Sequence, residues 1–378
     1  MAKELLLIGG GHAHLVTLAH IPQLREKGYQ VTVVQPSPWH YYSGMGPGML
    51  GGSYQPEEIR FATRRQVEAG GGKFVLGTVE KIDPAARRVS LAGSGEELFY
   101  DVLSCNVGSA VRRQIIAGEY DSVFTAKPIE QLLTAREKVV ALAGQRRCRI
   151  AVVGGGPSAL EIAGNLHQLC RTRGLNLPEI RLYAGRSLLP GRAERLRFLA
   201  REILQTKAIR IIVGIYVVRI EEHRLLLDNG ASVEADLIFV ATGVAPPPLF
   251  TRSGLPVGHD GGLLVNAALQ STAYPEIFGG GDCISFQPKP LDKVGVYAVR
   301  QNRVLFNNLL AWLDGTPLAP FSPGGEYLLI YNLGDGDGLL AKWWLTFAGK
   351  TAFRLKDWID RRFMATFAEP APSQTFRS

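Results

Sequence analysis

Two glycine-rich turns are the parts of this sequence best suited to chemistry. The first spans residues 9–14 and follows the apolar run 5–8; the second spans residues 154–159 and follows the apolar run 150–153. Such short runs are typical of buried parallel strands, and each turn leads into a helical pattern. A strand that enters a helix through glycines directs backbone N–H groups at one point, where a pyrophosphate can bind. The sequence therefore predicts two dinucleotide sites, at Gly9, Gly10 and Gly11 and at Gly154, Gly156 and Pro157.

Both turns depart from the G-x-G-x-x-G pattern. His14 stands where the first turn should have its third glycine, and the second turn has Ala159 there, which is a permitted replacement. The acidic residue that usually ends the second strand is also missing. Gln35 takes its place in the first unit, and its amide can still bind a ribose hydroxyl. In the second unit the position falls at residues 183–184. Arg186 lies close by, either as a contact for the 2′-phosphate of NADPH or as a solvated surface residue.

The strand–helix–strand repeats predict an α/β fold with two Rossmann-like dinucleotide-binding domains. The chain has 378 residues, 46% hydrophobic and 20% charged, which excludes a largely disordered protein. The second domain is expected as an insertion in the first. We predict an FAD-binding domain at 1–112 and 247–320, an NAD(P)H-binding domain at 113–246, and a small C-terminal segment at 321–378.

Charge and cysteine content set expectations for partners and compartment. The net charge of +8 is not concentrated in one basic tract, so we expect no nucleic acid partner. The four cysteines form no close pair of the zinc or redox type, which indicates free thiols in a reducing compartment, and we predict no metal site. No apolar run reaches membrane-spanning length, and the start is unlike a signal peptide. The expected location is the cytoplasm, with attachment to the cytoplasmic membrane face as an alternative.

The order of further motifs resembles the two-dinucleotide flavoproteins of the pyridine nucleotide–disulfide oxidoreductase superfamily. Residues 107–109 and 241–243 stand where that superfamily has its two crossings between domains, and residues 277–282 resemble its late GD motif. Within the superfamily the chain is most similar to FAD-dependent oxidoreductases found alone or fused to selenide, water dikinase. That likeness is carried by the motifs GGGHAH (9–14), YYSGMGPGMLGG (41–52), KPIE (127–130), YAVRQN (297–302) and KDWIDRRFM (356–364). Type II NADH:quinone dehydrogenases and sulfide:quinone reductases are more distant relatives.

This resemblance implies non-covalent FAD at the first turn and NADH or NADPH at the second. It implies that Asp282 binds the ribityl chain and that Glu161 is catalytic, facing nicotinamide and flavin, although a helix N-terminal carboxylate is the simpler alternative. Lys127 either reaches the flavin region or is a plain surface lysine. Besides the glycines and Pro157 named above, the cofactor-binding residues implied or predicted are His12, Gln35, Ser43, Met45, Pro47, Val79, Gly108, Gly243, Gly281, Asp282 and Val296.

Departures from the relatives bear on the reaction. The chain lacks the CxxxxC of disulfide reductases, and a redox role for Cys105 or Cys283 is weaker than a packing role. We expect electrons to pass from NAD(P)H through flavin to a quinone or another small acceptor without a redox disulfide. In our alignment, Val296 and Arg300 occupy the positions of two glutamines in type II dehydrogenases, and Gln301 is adjacent. The alternatives are a flavoprotein that oxidises a sulfur or selenium species without NAD(P)H, and a non-catalytic flavin-binding partner protein.

The tail has an amphipathic pattern. Between residues 351 and 367, aromatic and aliphatic residues fall mostly on one helical face. The opposite face is assigned charged residues, among them Lys356 and Asp360. Such a basic amphipathic helix can lie on a membrane surface, and the alternative is packing on the core or on a second subunit in a homodimer.

Overall fold

The computed structural model describes residues 2–367, in which parallel sheets alternate with helices. The strands, in chain order, are β1 (Glu4–Ile8), β2 (Gln30–Gln35), β3 (His40–Tyr41), β4 (Arg60–Phe61), β5 (Lys73–Leu76), β6 (Val79–Asp83), β7 (Arg88–Leu91), β8 (Glu97–Phe99), β9 (Val102–Cys105), β10 (Ala110–Val111), β11 (Val123–Thr125), β12 (Arg149–Val153), β13 (Glu179–Tyr183), β14 (Arg210–Ile212), β15 (Val217–Glu221), β16 (Arg224–Leu227), β17 (Ser232–Glu234), β18 (Leu237–Val240), β19 (Val244–Ala245), β20 (Leu263–Val265), β21 (Ile277–Gly279), β22 (Ile284–Phe286), β23 (Leu329–Asn332), β24 (Gly338–Lys342) and β25 (Leu345–Gly349).

The α-helices are numbered in the same way. They are α1 (Leu15–Ala19), α2 (Ile21–Glu26), α3 (Gly46–Leu50), α4 (Thr63–Ala69), α5 (Glu130–Gln145), α6 (Pro157–Thr172), α7 (Glu194–Thr206), α8 (Leu249–Arg252), α9 (Gly295–Asp314) and α10 (Lys350–Phe367). Short 3₁₀ helices occur at His12–His14, Pro56–Ile59 and Gly281–Cys283. None of the helices in residues 2–367 combines the length and apolar character needed to cross a membrane.

The first five-stranded sheet has the order β21-β9-β1-β2-β5, and all of its pairs are parallel. Strand β1 lies at its centre, and its residues 5–8 are almost completely buried. A run of consecutive apolar residues is required there because both faces of a parallel sheet are covered. The carboxyl end of β1 leads directly into the first glycine turn.

The second five-stranded sheet repeats this plan with the order β11-β18-β12-β13-β14, again with parallel pairs. Strand β12 leads into the second glycine turn and then into α6. Two parallel sheets of this kind confirm the predicted α/β, Rossmann-like fold class. Between the sheets, β10 pairs with β19 in antiparallel register, so the two crossings lie side by side. The predicted domain boundaries at 112/113 and 246/247 fall beside these strands and stay a prediction.

The C-terminal segment forms an antiparallel sheet, β23-β24-β25, followed by α10. The predicted segment runs to residue 378, and residues 368–378 lie outside the described part of the chain. The turn between β23 and β24 contacts α6 very closely, because a Cβ on Gly164 would lie only 2.0 Å from the carbonyl oxygen of Leu333. The Asp335 carboxylate in the same turn accepts hydrogen bonds from His167 Nδ1 (2.9 Å) and Lys207 Nζ (3.0 Å). These contacts anchor the tail to α6 and to the end of α7.

The orientation of α10 corrects one expectation. The sequence pattern placed Lys356 and Asp360 on the polar face, but they are only 8% and 5% exposed. Trp358, which was assigned to the apolar face, is 57% exposed. The prediction was wrong because the two charged residues neutralise each other across one helical turn, with Lys356 Nζ and Asp360 Oδ2 2.5 Å apart. A buried pair of this kind cannot be identified from hydropathy alone.

Candidate active site

A cleft of about 380 Å³ opens beside the first glycine turn, at the carboxyl ends of β1, β2 and β9. Crevices at this edge of a parallel sheet are where α/β proteins bind their ligands. The cleft contains nine of the predicted cofactor-binding residues: Gly9, Gly10, Gly11, His12, Gln35, Ser43, Val79, Gly108 and Asp282.

The first turn is shaped by Asn106, a residue that the sequence analysis missed. Gly9 has φ +85°, and a Cβ there would lie 2.4 Å from the Asn106 carbonyl oxygen. A Cβ on Gly11 would lie 2.2 Å from Asn106 Oδ1. The Asn106 amide also donates to the Gly280 carbonyl (2.6 Å) and accepts from the Ala13 amide (3.2 Å). Its position immediately before the crossing motif 107–109 was the available signal.

His14 explains how the first turn functions without its third glycine. Its ring is fully buried, with Nδ1 2.5 Å from the Gly9 carbonyl and Nε2 2.8 Å from Ser104 Oγ. Because a carbonyl only accepts, Nδ1 must carry the proton, and Nε2 accepts from the serine hydroxyl. Burial lowers the pKa of His14 to about 4, so the ring is neutral. This histidine therefore joins the first turn to β9.

Gln35 supports the turn from the neighbouring strand. Its Oε1 accepts the Gly10 amide at 2.8 Å, and its Nε2 donates to the carbonyls of Ser37 (2.6 Å) and Trp39 (2.8 Å). The second lone pair of Oε1 is available for a ribose hydroxyl. The first task of Gln35 in this structure is to hold the glycine turn, and the predicted ribose contact stays a prediction.

At the other side of the cleft, the partly exposed Lys127 and Ser109 form a polar cluster with the buried Asp282. Lys127 Nζ lies 2.7 Å from Asp282 Oδ2 and 3.0 Å from Ser109 Oγ, and the serine hydroxyl donates to Asp282 Oδ2 at 2.6 Å. Burial alone raises the pKa of Asp282, but the charge and hydrogen bond of Lys127, the Ser109 hydroxyl and the charge of Lys293 together lower the pKa below its usual value. Asp282 is therefore a carboxylate, and Oδ1 takes part in none of these bonds. Lys127 lines the cleft, and its predicted reach to the flavin region stays a prediction.

Aromatic rings form the wall between the first turn and the tail. His12 stacks on Phe363 of α10, with ring centroids 5.7 Å apart, and Tyr42 lies 5.0 Å from the same phenylalanine. His12 Nδ1 is 3.1 Å from His40 Nε2. Within the described residues, His12 Nε2 is buried without a hydrogen-bond partner. Burial and the charge of Lys127 lower the pKa of His12 to about 4. An unpaired ring nitrogen, the glycine cradle and the free Asp282 oxygen all fit a bound dinucleotide such as FAD.

The second turn has the same tight construction. Gly154 has φ +139°, and a Cβ there would lie 2.2 Å from the Ala241 carbonyl oxygen. Gly156 precedes α6 and faces open space, and Pro157 begins the helix, where its missing N–H costs nothing. Gly243 has φ +98° at the following crossing. Arg186 is exposed beyond β13, and neither of its predicted alternatives is decided by this exposure.

Glu161 lies on α6, one turn after the second glycine turn, but it does not line the cleft. Its Oε1 accepts the amide of Asn332 at 2.8 Å. Burial raises the pKa of Glu161 to about 7, although Lys356 and the Asn332 amide oppose this rise. Lys356 in turn donates to the carbonyl of Gly44 (2.7 Å), next to Ser43 in the cleft wall. A carboxyl group with a pKa of about 7 thus lies within electrostatic range of Lys356, which contacts the backbone next to the cleft wall.

The remaining predicted residues lie around the cleft rather than in it. Met45 and Pro47 are buried behind Ser43. Gly281 directly precedes Asp282, and its amide donates to Gln301 Oε1 at 2.6 Å. Val296 lies in the first turn of α9, beside Gly295, which does line the cleft.

The four cysteines are free, and all four are buried. Cys105 lies in β9, and Cys283 lies in the 3₁₀ helix that follows Gly280. Burial raises the pKa of both thiols, to about 11 for Cys283. Neither lines the cleft, so both behave as small hydrophobic residues and not as exposed thiolates.

Comparison with known proteins gives full-length similarities. A type II NADH:quinone oxidoreductase of Staphylococcus saprophyticus is 26% identical over 391 residues, which cover 95% of this chain and 94% of the relative. The structure of NDH2 from Plasmodium falciparum in complex with NADH covers 98% of this chain and 99% of its own, with 15% identity and a TM-score of 0.80. The sulfide:quinone oxidoreductase of Aquifex aeolicus covers 98% and 93%, with 19% identity and a TM-score of 0.79. The two structures share the fold of this chain.

A family model described as pyridine nucleotide-disulphide oxidoreductase matches residues 3–301, which include both glycine turns and the Asp282 motif. The predicted superfamily is thereby confirmed. The closer likeness to flavoproteins associated with selenide, water dikinase stays a prediction. On its sequence, its two parallel sheets and its paired glycine turns, this chain belongs to the pyridine nucleotide-disulphide oxidoreductase family.

Proposed function

We propose that this chain is an FAD-dependent NADH:quinone oxidoreductase. One observation carries the proposal: α6 begins at the second glycine turn and packs against the segment that continues from Ser43 in the cleft wall, where Gln168 Nε2 of α6 donates to the Gly51 carbonyl at 2.9 Å. The two nucleotide turns thus lead to one region of the molecule. The full-length similarity to a type II NADH:quinone oxidoreductase supports this choice of donor and acceptor.

The predicted division of the chain gives each unit one cofactor. Residues 1–112 and 247–320 would hold FAD, with the pyrophosphate at Gly9–Gly11 and the ribityl chain at Asp282. Residues 113–246 would hold NADH at Gly154–Pro157. The cradle at each turn supports this assignment, because any Cβ at Gly9 or Gly154 would collide with a backbone carbonyl.

Bound FAD supplies the redox chemistry, taking a hydride from NADH and passing two electrons to the acceptor. The protein supplies position and protons. Lys127 helps to keep Asp282 ionised as a hydrogen-bond acceptor, and the neutral rings of His12 and His40 line the cleft on the side where His12 stacks on Phe363. NADH delivers two electrons and one proton, whereas reduction of a quinone to a quinol takes two electrons and two protons. One proton per turnover must therefore come from the protein or from water.

We assign this proton to Glu161. With a pKa of about 7, its carboxyl is about half protonated at neutral pH and can both give and regain a proton. The Asn332 amide fixes one carboxyl oxygen, which leaves the other for proton exchange.

The proposal is tested with purified protein loaded with FAD. NADH and NADPH are added separately without oxygen, and the flavin absorbance is followed; a soluble quinone is added afterwards. Prompt bleaching by NADH and recovery with quinone are expected. FAD that neither nucleotide bleaches would contradict the proposal, and bleaching by sulfide alone would indicate the sulfur-oxidising alternative. Bleaching by NADPH alone would contradict the assigned donor and would make Arg186 the contact for the 2′-phosphate.

We further propose that the tail contacts an anionic lipid surface. Trp343 and Trp344 form the tip of the β24–β25 hairpin and are 69% and 88% exposed. Lys342 lies over the Trp343 ring at 4.5 Å, and Arg362 lies over Trp358 of α10 at 5.4 Å. Exposed indole rings beside cations are the combination that binds at the interface of an anionic bilayer.

Sedimentation with vesicles tests this contact. The parent should bind vesicles that contain phosphatidylglycerol more strongly than vesicles of phosphatidylcholine alone. The double variant Trp343→Ser, Trp344→Ser should lose most of this binding. Phe198→Ser is the control, because Phe198 is an exposed aromatic residue with Arg195 beside it, on α7 and outside the tail segment itself. Unchanged vesicle binding by the double variant would contradict the contact. A change from dimer to monomer instead would identify a second copy of the chain as the partner.

A further inference from the structure

Three charged side chains meet where the tail covers α6. Lys356 and Asp360 come from α10, and Glu161 comes from α6. The ammonium is within electrostatic range of both carboxyl groups. A lysine can pair with two carboxylates at once, as Lys207 does with Asp335 and Asp337, but Lys356 pairs with one.

Lys356 is paired with Asp360. Its Nζ lies 2.5 Å from Asp360 Oδ2 and also donates to the Gly44 carbonyl at 2.7 Å. The hydroxyl of Tyr42 donates to the other oxygen, Asp360 Oδ1, at 3.1 Å. Among the residues that the structure describes, Lys356 makes no ion pair with Glu161, which it influences only through space.

We propose that Asp360 is a positioning residue: it holds the Lys356 ammonium against Gly44, so that Glu161 lacks a paired cation and can deliver a proton to the acceptor. This inference rests on the proposed function and adds to it the residue that controls proton delivery. Asp360 does not line the cleft. Its side chain contacts Tyr42 and Lys356.

The charge arrangement supports this role. A carboxylate beside Glu161 disfavours loss of its proton, and a directly paired ammonium would favour it. Asp360 disfavours loss of the Glu161 proton in two ways: it adds a negative charge near Glu161, and it neutralises Lys356. The same directions appear in the pKa of Glu161, which Asp360 raises and Lys356 lowers.

Neighbouring elements place four other titratable side chains around this cluster. Strand β23 contributes the Tyr331 hydroxyl, which is buried and whose pKa is raised to about 12 by burial and only partly by Glu161. Residues 42–54 contribute two tyrosines whose pKa values burial also raises, and helix α3 between them has no titratable side chain. The groups that face the cluster are Tyr42, Tyr54, Tyr331 and Asp357. The three tyrosines stay protonated near neutral pH because burial raises their pKa values, whereas the pKa of Glu161 lies at about 7.

The proton step balances with the groups named. The Glu161 carboxyl breaks its O–H bond and gives that proton to a quinone oxygen as the quinone receives two electrons that originate from NADH. Glu161 is left as a carboxylate and regains a proton from water. The protonated form is the active one, so quinone reduction should fall as pH rises through the pKa of Glu161.

The test compares Asp360→Asn with Asp357→Asn in the FAD-loaded enzyme. Both changes remove one negative charge from α10, but Asp357 pairs with Arg361 and not with Lys356. We expect Asp360→Asn to move the alkaline limb of quinone reduction to lower pH by about one unit, which is about a tenfold lower rate above the limb. Asp357→Asn should leave the limb in place. An unmoved limb in Asp360→Asn would overturn the proposal.

An infrared titration gives a second readout that needs no turnover. The carbonyl stretch of the protonated Glu161 carboxyl is identified by its loss in Glu161→Gln, and its midpoint should fall in Asp360→Asn. If Asp360→Asn does not fold, Lys356→Met carries the test with the opposite sign: the midpoint and the limb should both move to higher pH, and no movement would contradict the proposal. Absence of NADH:quinone activity in the parent would refute the proposed function, whereas the infrared midpoints would still report on Asp360.

Discussion

Replacement of Gly164 by alanine tests the close contact between the tail and α6. In an ordinary helix this change stabilises by up to about 1 kcal/mol, because alanine loses less backbone entropy on folding. Here the new Cβ would lie 2.0 Å from the Leu333 carbonyl oxygen and 2.5 Å from its carbon. That is about 1.5 Å short of ordinary van der Waals contact, and a backbone carbonyl cannot rotate away as a side chain can.

The size of the effect follows from what must move. Relief of the clash separates β23 from α6 and lengthens two hydrogen bonds, Asn332 N to Glu161 Oε1 (2.8 Å) and Asn165 Nδ2 to the Asn332 carbonyl (3.0 Å). Each is worth about 1 kcal/mol, and overpacking costs a further 1–3 kcal/mol, roughly. After the gain in helix propensity, we expect Gly164→Ala to lower the free energy of unfolding by about 2 kcal/mol.

Urea denaturation followed by circular dichroism measures this change, with Gly144→Ala as the matched control. Gly144 also lies in a helix, α5, but a Cβ there would meet nothing within 4 Å. The control should be about 0.5 kcal/mol more stable than the parent. If Gly164→Ala raised the denaturation midpoint as Gly144→Ala does, the close contact of α6 with the tail would be refuted.

Three further changes test the site itself. Lys127→Gln removes a cation that keeps Asp282 ionised, so the pKa of Asp282 should rise and FAD affinity should fall about tenfold, and more at pH 6 than at pH 8 because the carboxyl is then more often protonated and a poorer hydrogen-bond acceptor; fluorescence titration with FAD measures this, and equal affinity to the parent would contradict the pairing. Glu161 has a folded-state pKa of about 7, above the ordinary 4.5, so the parent loses stability as pH rises between these values. Glu161→Gln should therefore gain stability relative to the parent from pH 5 to pH 8, and urea midpoints that keep a constant difference would argue against the raised pKa. Cys283→Ala should keep the rate of flavin bleaching by NADH within about twofold, because the thiol is buried and protonated; a large loss in stopped-flow measurements would restore a redox role.

The two nucleotide turns could be predicted because their signal is local. A buried strand, a run of glycines and a helix adjoin in sequence, and the structure has them in that order at residues 5–19 and 149–172. The same is true of Asp282 at the end of β21. These features depend on backbone conformations that few residues other than glycine adopt, so residue type alone carries most of the information.

The partners of these residues could not be predicted, because they come from distant parts of the chain. Asn106 shapes the turn at Gly9 from another strand, and Ser104 completes the bridge made by His14. No spacing rule connects residues that are separated by about a hundred positions. A hydrogen-bond partner of this kind is fixed only by strand order, which the sequence pattern does not determine.

The predicted exposure of Lys356 and Asp360 in α10 was wrong for a different reason. Hydropathy assigns lysine and aspartate to solvent, and it has no means to recognise that two opposite charges four residues apart can be buried together. The spacing of Lys356 and Asp360 was visible as an i, i+4 pair of opposite charge, with Ala352 one turn earlier on the same face. What decided their burial was the Gly44 carbonyl and the Tyr42 hydroxyl, both supplied by the other end of the chain.

The contact between Gly164 and Leu333 also limits how this protein could be recombined with its relatives. Gly334 faces the Gly164 carbonyl oxygen across the same junction, where a Cβ would lie 2.2 Å away, so glycine is required on both sides. A tail transplanted from another flavoprotein would be accepted only with a helix that has a matching gap, and the same holds for a transplanted helix. In chimeric enzymes the tail and α6 should therefore be exchanged together, even though more than 150 residues separate Gly164 from Leu333.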